Sequence, residues 1–246
     1  MRTDRPLLAI TLDLDDTLWP VKPALIHAER TLSAWLAERA PATAAWLTPD
    51  NRRLVREALL AGHPERAHDV SFMRRESLRR ALAAAGDDQA LAGPAFEVFL
   101  EARQCVTLYE DVEPVLAAWA RRYRLVAVSN GNADVGRIGL GSYFAASVSA
   151  HELGFGKPDP RIYLEACRRA GAQPAEVLHV GDDLHLDVHA ARDAGLRAAW
   201  VRRPDLPRPA AQTARGQEAP GQEAPDAFDS LEALDAFLHP GSASPR

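Results

Sequence analysis

The stretch that decides the fold is LLAITLDLDDTLWP, residues 7–20. It opens with an apolar and β-branched run, as in a buried strand, and then places Asp13, Asp15 and Asp16 close together. Two carboxylates about 4 Å apart repel each other by roughly 4 kcal/mol at an effective dielectric constant near 20. A strand end with three of them therefore predicts that they reach water, share protons or hold a cation.

The composition is that of an ordinary globular protein. The chain has 246 residues, 47% apolar and 26% charged, enough for one large domain or two modest ones. The net charge of −5 gives no basic surface for nucleic acid, and no segment resembles a signal peptide or a membrane span. Cys105 and Cys167 lack metal-ligand spacing, which fits a reducing compartment. We therefore predict a cytoplasmic protein, a monomer or weak homodimer, that binds neither nucleic acid nor membrane.

Short strand patterns alternate with helical patterns along most of the chain. The strand patterns cover residues 7–13, 124–130, 145–150, 177–181 and 197–201. Helical spacing between them indicates βαβ units, which place parallel strands in one sheet with helices on both faces. The sequence therefore predicts an α/β fold with a Rossmann-like parallel sheet.

Residues 19–106 interrupt this alternation. They are rich in Ala, Leu, Arg and Glu, and they have helical spacing over residues 23–39, 49–61, 68–85 and 89–106. We predict that this segment is an inserted all-helical cap, while residues 1–18 and 107–246 form the core. A long helical excursion packed on the sheet is the alternative that the pattern leaves open.

Near its end the chain changes composition again. Residues 203–226 are rich in Pro, Ala and Gln and contain the tandem repeat GQEAPGQEAP, so we predict a flexible loop there. A capping residue and helical spacing predict a short helix over residues 229–238. We expect the tail, residues 239–246, to be disordered.

Reactive side chains recur directly after the predicted strands. They carry carboxylate, hydroxyl, amide and ammonium groups, and they are Asp13, Ser129, Asn130, Lys157, Asp182, Asp183 and Asp187. Ligands of open parallel sheets bind beyond the carboxyl ends of the strands. We therefore expect these residues to share one site.

Their order and spacing resemble those of the haloacid dehalogenase superfamily. The family pattern is DxDxT, then Ser or Thr, then Lys, then GDxxxxD. This chain reads DLDDT at 13–17, Ser129, Lys157 and GDDLHLD at 181–187. The match spans about residues 7–201 and implies a Rossmann-like core, a helical cap after the first motif, and Mg²⁺-dependent hydrolysis of a small-molecule phosphate ester.

The resemblance also implies roles for the motif residues. Asp13 is expected to be the nucleophile that forms an aspartyl-phosphate, and Asp15 the general acid and then the general base. Mg²⁺ is expected on the Asp13 carboxylate, the Asp15 backbone carbonyl and Asp182, which would offset the repulsion between the carboxylates.

Other residues are expected to hold the phosphoryl group or to support the site. Ser129 and the Asn130 amide would bind phosphoryl oxygens, and Lys157 would add positive charge. Asp187 would orient Lys157 or a water of the metal site. Asp183 would order its own loop.

The motifs leave other reactions open. A 2-haloacid dehalogenase shares the Asp nucleophile but lacks the second acid, so Asp15 favours a phosphatase. A phosphomutase, or a non-catalytic binding protein on the same fold, also stays open. The runs LDLDDTLW and VSNGNAD resemble a bacterial branch that dephosphorylates FMN and 5-amino-6-(5-phospho-D-ribitylamino)uracil. For such a substrate we predict that Trp19 stacks on the ring, while His179 is expected to be a hydrogen-bonded core residue.

Overall fold

The computed structural model describes residues 5–203 and 226–240. Within these ranges six parallel strands form one sheet in the order β3-β2-β1-β4-β5-β6. They are β1 (Ala9–Leu12), β2 (Arg124–Ser129), β3 (Ala146–Ser149), β4 (Val177–Gly181), β5 (Arg197–Val201) and β6 (Ala227–Phe228). This is the strand order of a Rossmann-like sheet, so the predicted fold class is confirmed.

β1 lies at the centre of the sheet, and all of its residues are buried. It pairs with β2 on one side and with β4 on the other, so that Leu12 is level with Ala127 and Val180. The order of the strands reverses between β1 and β4. Ligands bind at such a reversal, beyond the carboxyl ends, and the residues that follow β1, β2 and β4 therefore meet in one place.

The chain between β1 and β2 begins with five helices, which we call the helical segment. They are α1 (Val21–Arg39), α2 (Pro41–Trp46), α3 (Pro49–Gly62), α4 (Val70–Ala85) and α5 (Ala92–Arg103). Thr48 and Asp69 accept backbone hydrogen bonds at the starts of α3 and α4, and Gly86 ends α4 in the left-handed conformation. The helical segment encloses an apolar cluster of its own, which includes Leu82 and Phe96.

Two details of the helical segment differ from the sequence prediction. The short helix α2 was not predicted, because six residues that include Pro41 and Thr43 give too little helical periodicity. The helix predicted over 89–106 is divided into a 3₁₀ turn at Gln89–Leu91 and the shorter α5. The Asp88 side chain caps that turn by accepting a hydrogen bond from the Ala90 backbone.

Helices cover both faces of the sheet. They are α6 (Val112–Trp119), α7 (Val135–Ile138), α8 (Ala150–Leu153), α9 (Pro160–Ala170), α10 (Ala190–Asp193) and α11 (Leu231–Leu238). A turn of π-helix at Leu184–His189 precedes α10. Successive strand residues point to opposite faces, so Ile10 and Leu12 pack with α6 and α11, whereas Ala9 packs with α9 and α10.

The loop predicted over residues 203–226 lies, except for its two ends, outside the described residues. Its first residue, Arg203, is buried. The Arg203 guanidinium donates to the Thr17 backbone carbonyl at 2.8 Å and to the Asp111 carboxylate at 2.8 Å. Arg203 therefore ties the end of β5 to the DxDxT loop and to the start of α6.

The chain end is described as far as residue 240. His239 lies in the tail that was expected to be disordered, but its ring is hydrogen-bonded to the Tyr123 hydroxyl at 2.8 Å and is held in place. Residues 241–246 lie outside the described ranges. Over the ranges 5–203 and 226–240, the helices are too short or too polar to cross a membrane.

Candidate active site

A lysine held between two carboxylates marks the centre of the site. Lys157 Nζ donates to Asp13 Oδ1 at 2.5 Å and to Asp187 Oδ1 at 2.6 Å, and all three side chains are buried. Burial alone would lower the pKa of Lys157, but the attraction of Asp13 and Asp187 outweighs it and holds the pKa above its ordinary value. Lys157 is therefore a permanent positive charge beside Asp13.

Asp13 and Asp182, which we call the acidic pair, follow the neighbouring strands β1 and β4. Thr17 Oγ1 lies 3.0 Å from Asp182 Oδ1 and 3.4 Å from Asp13 Oδ2, and so connects the two carboxyl groups. Burial is the main cause that raises the pKa of Asp13 to about 7. Burial, followed by the charge of Asp13, raises the pKa of Asp182 to about 8. Even with Lys157 beside Asp13, ionising both is disfavoured unless a further cation lies close to them.

The acidic pair fits a magnesium ion. Among the described residues, the group of His, Cys, Asp or Glu close enough to share a metal is Asp13, Asp182 and Asp187, with oxygen atoms within 4.8 Å of one another. Asp187 is already engaged by Lys157, by His179 and by the backbone N–H of Asp183. The acidic pair therefore offers the ligand atoms, and hard carboxylate oxygens are those that Mg²⁺ prefers.

Asp15 is held by two side chains that the sequence did not connect with it. Arg103 Nη2 donates to Asp15 Oδ1 at 2.7 Å and to Oδ2 at 2.5 Å, and Trp19 Nε1 donates to Oδ1 at 2.9 Å. Arg103 is the last residue of α5, so this contact joins the helical segment to the end of β1. Trp19 is fully buried, and the prediction that its ring stacks on a substrate is therefore wrong. The indole orients Asp15 instead.

The end of β2 brings Ser129 close to Asp15. A Cβ atom placed on Gly131 would lie 2.7 Å from Asp15 Oδ2 and 3.3 Å from Ser129 Oγ, so both oxygen atoms face one point and only glycine fits there. Asn130 is engaged elsewhere. Its Oδ1 accepts from the Lys157 backbone N–H at 2.7 Å, and its Nδ2 donates to the Lys157 carbonyl at 2.8 Å. The Asn130 side chain thus positions the lysine loop, and binding of a phosphoryl oxygen by the Asn130 amide stays a prediction.

A buried chain of hydrogen bonds supports Asp187. His179 Nε2 lies 3.1 Å from Asp187 Oδ1, and His179 Nδ1 lies 2.8 Å from Thr11 Oγ1. Burial lowers the pKa of His179, so the ring is neutral. We assign the proton to Nε2, which faces the carboxylate, while Nδ1 accepts from the Thr11 hydroxyl. His179 is thus the hydrogen-bonded core residue that was expected, and it also fixes Asp187.

Asp183 and Asp16 order their loops. Asp183 Oδ1 accepts from the backbone N–H groups of His185 and Leu186, each at 2.8 Å, and so starts the π-helical turn. Asp16 has a φ of 60°, and its Oδ1 accepts from the Val21 N–H at 2.8 Å, at the start of α1. Both carboxylates therefore have a structural task.

A cavity of about 360 Å³ opens beside Gly131, between the helical segment and the core. Its polar lining comes from both sides and includes Ser71, Arg75, Asn132, Arg137 and His151. A larger cavity of about 800 Å³, lined by residues of α6 and α11, contains none of the predicted site residues. The smaller cavity is lined by none of the predicted site residues either, but its lining includes Gly131, which lies beside Asp15 and Ser129.

Two residues that shape the site were missed in the sequence. Thr17 was visible as the last letter of the DxDxT motif, but the motif does not say that its hydroxyl connects the acidic pair. Arg103 belongs to no motif. The available signal was its position near the end of the last helical pattern, shortly before the chain returns to the sheet.

Comparison with known protein families gives the identity of the fold. A family model described as haloacid dehalogenase-like hydrolase matches residues 7–195, which is most of the chain. The chain belongs to this family. The resemblance stated from the motifs is thereby confirmed, and the protein is an enzyme of the hydrolase class.

Similar proteins of this hydrolase family carry the names of two reactions. The 5-amino-6-(5-phospho-D-ribitylamino)uracil phosphatase YigB of Escherichia coli is 35% identical over 209 residues, 82% of this chain and 87% of that protein. The phosphoserine phosphatase of Thermus thermophilus is 35% identical over 66% of this chain and 58% of its own length. A crystal structure described as 2-haloacid dehalogenase from Pseudomonas syringae is 38% identical, covers 94% of this chain and 98% of that chain, and has a TM-score of 0.83.

Proposed function

We propose that this hydrolase is a phosphatase that acts on a small-molecule phosphate monoester through an aspartyl-phosphate on Asp13. One oxygen of Asp13 is held by Lys157 Nζ and the other lies near the Thr17 hydroxyl. An oriented carboxylate beside a buried ammonium suits attack on phosphorus, because the positive charge offsets the negative charge of the transferring group. Ser129 supports the proposal as a hydroxyl donor at the end of β2.

The two carboxylates that follow β1 would act in turn. In the first step an Asp13 oxygen bonds to phosphorus, the bond between phosphorus and the ester oxygen breaks, and Asp15 gives its proton to the leaving oxygen. In the second step Asp15 takes a proton from water, the water oxygen bonds to phosphorus, and the bond to Asp13 breaks. Inorganic phosphate leaves, and both carboxyl groups return to their starting states.

Mg²⁺ is proposed as the cofactor, held by the acidic pair and by the Asp15 backbone carbonyl. When bound, the ion would neutralise charge on the phosphoryl oxygens. The support is electrostatic, because two buried carboxyl groups with pKa values of about 7 and about 8 need a positive charge besides that of Lys157 in order to be ionised together. Asp187 stays outside the ligand set, since its oxygens already accept hydrogen bonds.

The observation that carries the phosphatase proposal is the second carboxylate, Asp15. Its Oδ2 faces the same point as Ser129 Oγ, beside Gly131 and the smaller cavity. A phosphate ester with a poor leaving group needs an acid at such a position. Cleavage of a carbon–halogen bond needs none, because a halide ion leaves without a proton.

Dehalogenation of a 2-haloacid is the second candidate, since the similar Pseudomonas structure is described as a 2-haloacid dehalogenase. The nucleophile would again be Asp13. It would form a carboxylic ester with the substrate carbon while halide leaves, and no metal would be needed. The acidic pair and Asp15 argue against this reaction.

For the substrate, similarity to YigB supports 5-amino-6-(5-phospho-D-ribitylamino)uracil, and FMN is the second compound to try. Hydroxyl-rich chains suit the smaller cavity, whose lining offers donors and acceptors such as Ser71, Asn132 and His151. A cytoplasmic location stays a prediction from the cysteine content.

The experiment is a panel of activities on the purified protein. Phosphate release would be measured from FMN, the ribitylaminouracil phosphate, O-phosphoserine and p-nitrophenyl phosphate, with Mg²⁺ and with EDTA, and chloride release from 2-chloropropionate. Asp13→Asn should lower kcat at least about 100-fold with the fold intact, because the nucleophile is lost. Asp50→Asn, an exposed residue of α3, is the matched control. Chloride release that persists in EDTA would support the second candidate. If the protein hydrolyses neither the phosphate esters nor the 2-haloacid, both candidate functions are overturned.

A further inference from the structure

Arg103 contacts the proposed general acid but belongs to no motif. We propose that Arg103 is a positioning residue, which turns the Asp15 carboxylate toward the leaving oxygen and does so while the helical segment lies against the sheet. This inference rests on the proposed phosphatase function, because it assigns a task toward the acid of that reaction.

The contact fixes the rotation of the carboxylate. Arg103 Nη2 reaches both oxygens of Asp15, at 2.7 and 2.5 Å, while Trp19 reaches Oδ1 alone. Within the described ranges, Arg103 is thus the side chain that holds Oδ2, the oxygen that faces Ser129 Oγ beside Gly131. Without Arg103 the carboxylate would be tied at one oxygen and free to turn about its Cβ–Cγ bond.

Arg103 is itself held firmly. Its side chain is 2% exposed, and its Nε donates to Asn132 Oδ1 at 3.0 Å. Asn132 Nδ2 lies 3.3 Å from Ser71 Oγ of α4, and the Asn132 carbonyl accepts from Gln104 Nε2 at 3.2 Å. These bonds connect α4, α5 and the loop after β2, so the guanidinium keeps its place while the helical segment contacts the core.

One donor of this guanidinium has no acceptor. Arg103 Nη1 is buried and has no hydrogen-bond partner among residues 5–203 and 226–240. Buried donors are nearly always paired, and an arginine with a purely structural task would be expected to satisfy all its N–H groups. The unpaired Nη1 next to Asp15 points to an acceptor that enters with the substrate or as water.

The position of Arg103 in the chain couples the acid to the helical segment. It ends α5, four residues before the chain returns to the core near residue 107. Because Asp15 belongs to the core and Arg103 to the helical segment, any displacement of this segment separates them. Asp15 is then oriented when the space beside it is enclosed, and proton transfer is confined to that state.

The test uses the proton demand of the leaving group. p-Nitrophenolate leaves without a proton, whereas the alkoxide of a primary alkyl phosphate needs one. We would measure kcat and KM on p-nitrophenyl phosphate and on the primary alkyl phosphate that the wild type hydrolyses fastest. For Arg103→Met, kcat/KM on the alkyl phosphate should fall about 100-fold and kcat/KM on p-nitrophenyl phosphate less than about threefold. The ratio kcat/KM covers the steps up to departure of the leaving group, before Asp15 acts as the base toward water. Arg103→Lys should recover part of the loss, because an ammonium holds one oxygen.

Arg74→Met is the matched control, since Arg74 pairs with Glu29 at 2.5 Å inside the helical segment. It should show no selectivity between the two substrates. Equal losses of kcat/KM on both substrates, or no loss on either, would overturn the role of Arg103 and leave the phosphatase standing. If circular dichroism shows that Arg103→Met does not fold, Arg103→Lys replaces it in the test. A larger loss on the alkyl phosphate than on p-nitrophenyl phosphate then supports the role of Arg103, and equal losses overturn it. A wild type that releases no phosphate from any ester would overturn the proposed function and this inference together.

Discussion

Replacing Asp187 by Asn tests the arrangement that holds Lys157. Asp187 is buried, and its Oδ1 lies 2.6 Å from Lys157 Nζ. It also accepts hydrogen bonds from His179 Nε2 at 3.1 Å and from the Asp183 backbone at 3.0 Å. The variant keeps the size of the side chain and one acceptor oxygen but removes the charge. Lys157 then retains Asp13 as its carboxylate partner.

The loss can be estimated from the burial of the pair. Removing one partner of a buried ion pair costs about 3–5 kcal/mol. Because Asp13 still contacts Lys157, we expect a loss near 3 kcal/mol, at the lower end of this range. For a chain of 246 residues this corresponds to a decrease in Tm of roughly 6–12 °C.

The pH dependence of this loss has a definite sign. Burial alone would raise the pKa of Asp187, but Lys157 and then His179 outweigh it and hold the pKa well below its ordinary range. A carboxyl group whose pKa is lower in the folded than in the unfolded state stabilises the fold at pH values above the unfolded pKa. That stabilisation is lost as pH falls through the folded pKa. The Tm difference between wild type and variant should therefore be constant above about pH 5 and shrink below about pH 4.

Thermal unfolding followed by circular dichroism at several pH values measures this difference. Asp159→Asn is the control, because Asp159 pairs with the exposed Arg161 at 2.6 Å, and surface pairs contribute less than about 1 kcal/mol. A loss in Asp187→Asn that is no larger than in this control would refute the reasoning, as would a Tm difference that grows toward low pH.

Three further outcomes are expected. Trp19→Phe removes the N–H that donates to Asp15, so kcat should fall about tenfold, equally for FMN and for an alkyl phosphate without a ring. A loss confined to FMN would contradict this role of the indole. Gly181→Ala would place a Cβ 2.2 Å from Asp187 Cγ, so the variant should lose about 1–3 kcal/mol of unfolding free energy and most of the activity. Gly93 has open space around it, so Gly93→Ala should keep the stability and the activity of the wild type. The pKa values of the acidic pair, about 7 and about 8, lie above those of unfolded carboxyl groups. In EDTA, Tm should therefore fall as pH rises from about 5 to 8. Added Mg²⁺ should raise Tm more at pH 8 than at pH 5, because the two carboxyl groups are ionised at the higher pH. A Mg²⁺ effect on Tm that is independent of pH would contradict this ligand assignment.

The strands were predictable because buried parallel strands are short, continuous apolar runs. The bounds of β4 and β5 are those read from the sequence, and β1 and β2 differ from the prediction only at their ends. β6 could not be predicted, since the two residues Ala227–Phe228 carry no periodicity of their own. The strand forms because its backbone pairs with β5.

The site could be predicted where its residues follow strands, and not where tertiary contacts bring them in. Arg103 lies 88 positions from Asp15, and a basic residue at the end of a helix is explained by the helix dipole without any partner. Trp19 was misread for a local reason. The chain folds back after Asp16, whose backbone N–H donates to the Trp19 carbonyl at 2.8 Å, and this turn directs the indole inward.

The three carboxylates that follow β1 are each accommodated differently. Asp16 accepts a hydrogen bond from the backbone N–H of Val21, the first residue of α1. Asp15 contacts the Arg103 guanidinium, and Asp187 contacts Lys157. What remains is the acidic pair, of which Asp13 shares Lys157 with Asp187 while Asp182 lies next to Asp13 and Thr17. The proposed phosphate ester would bring further negative charge to this point, so the repulsion between the carboxylates is the physical reason for proposing a metal site here.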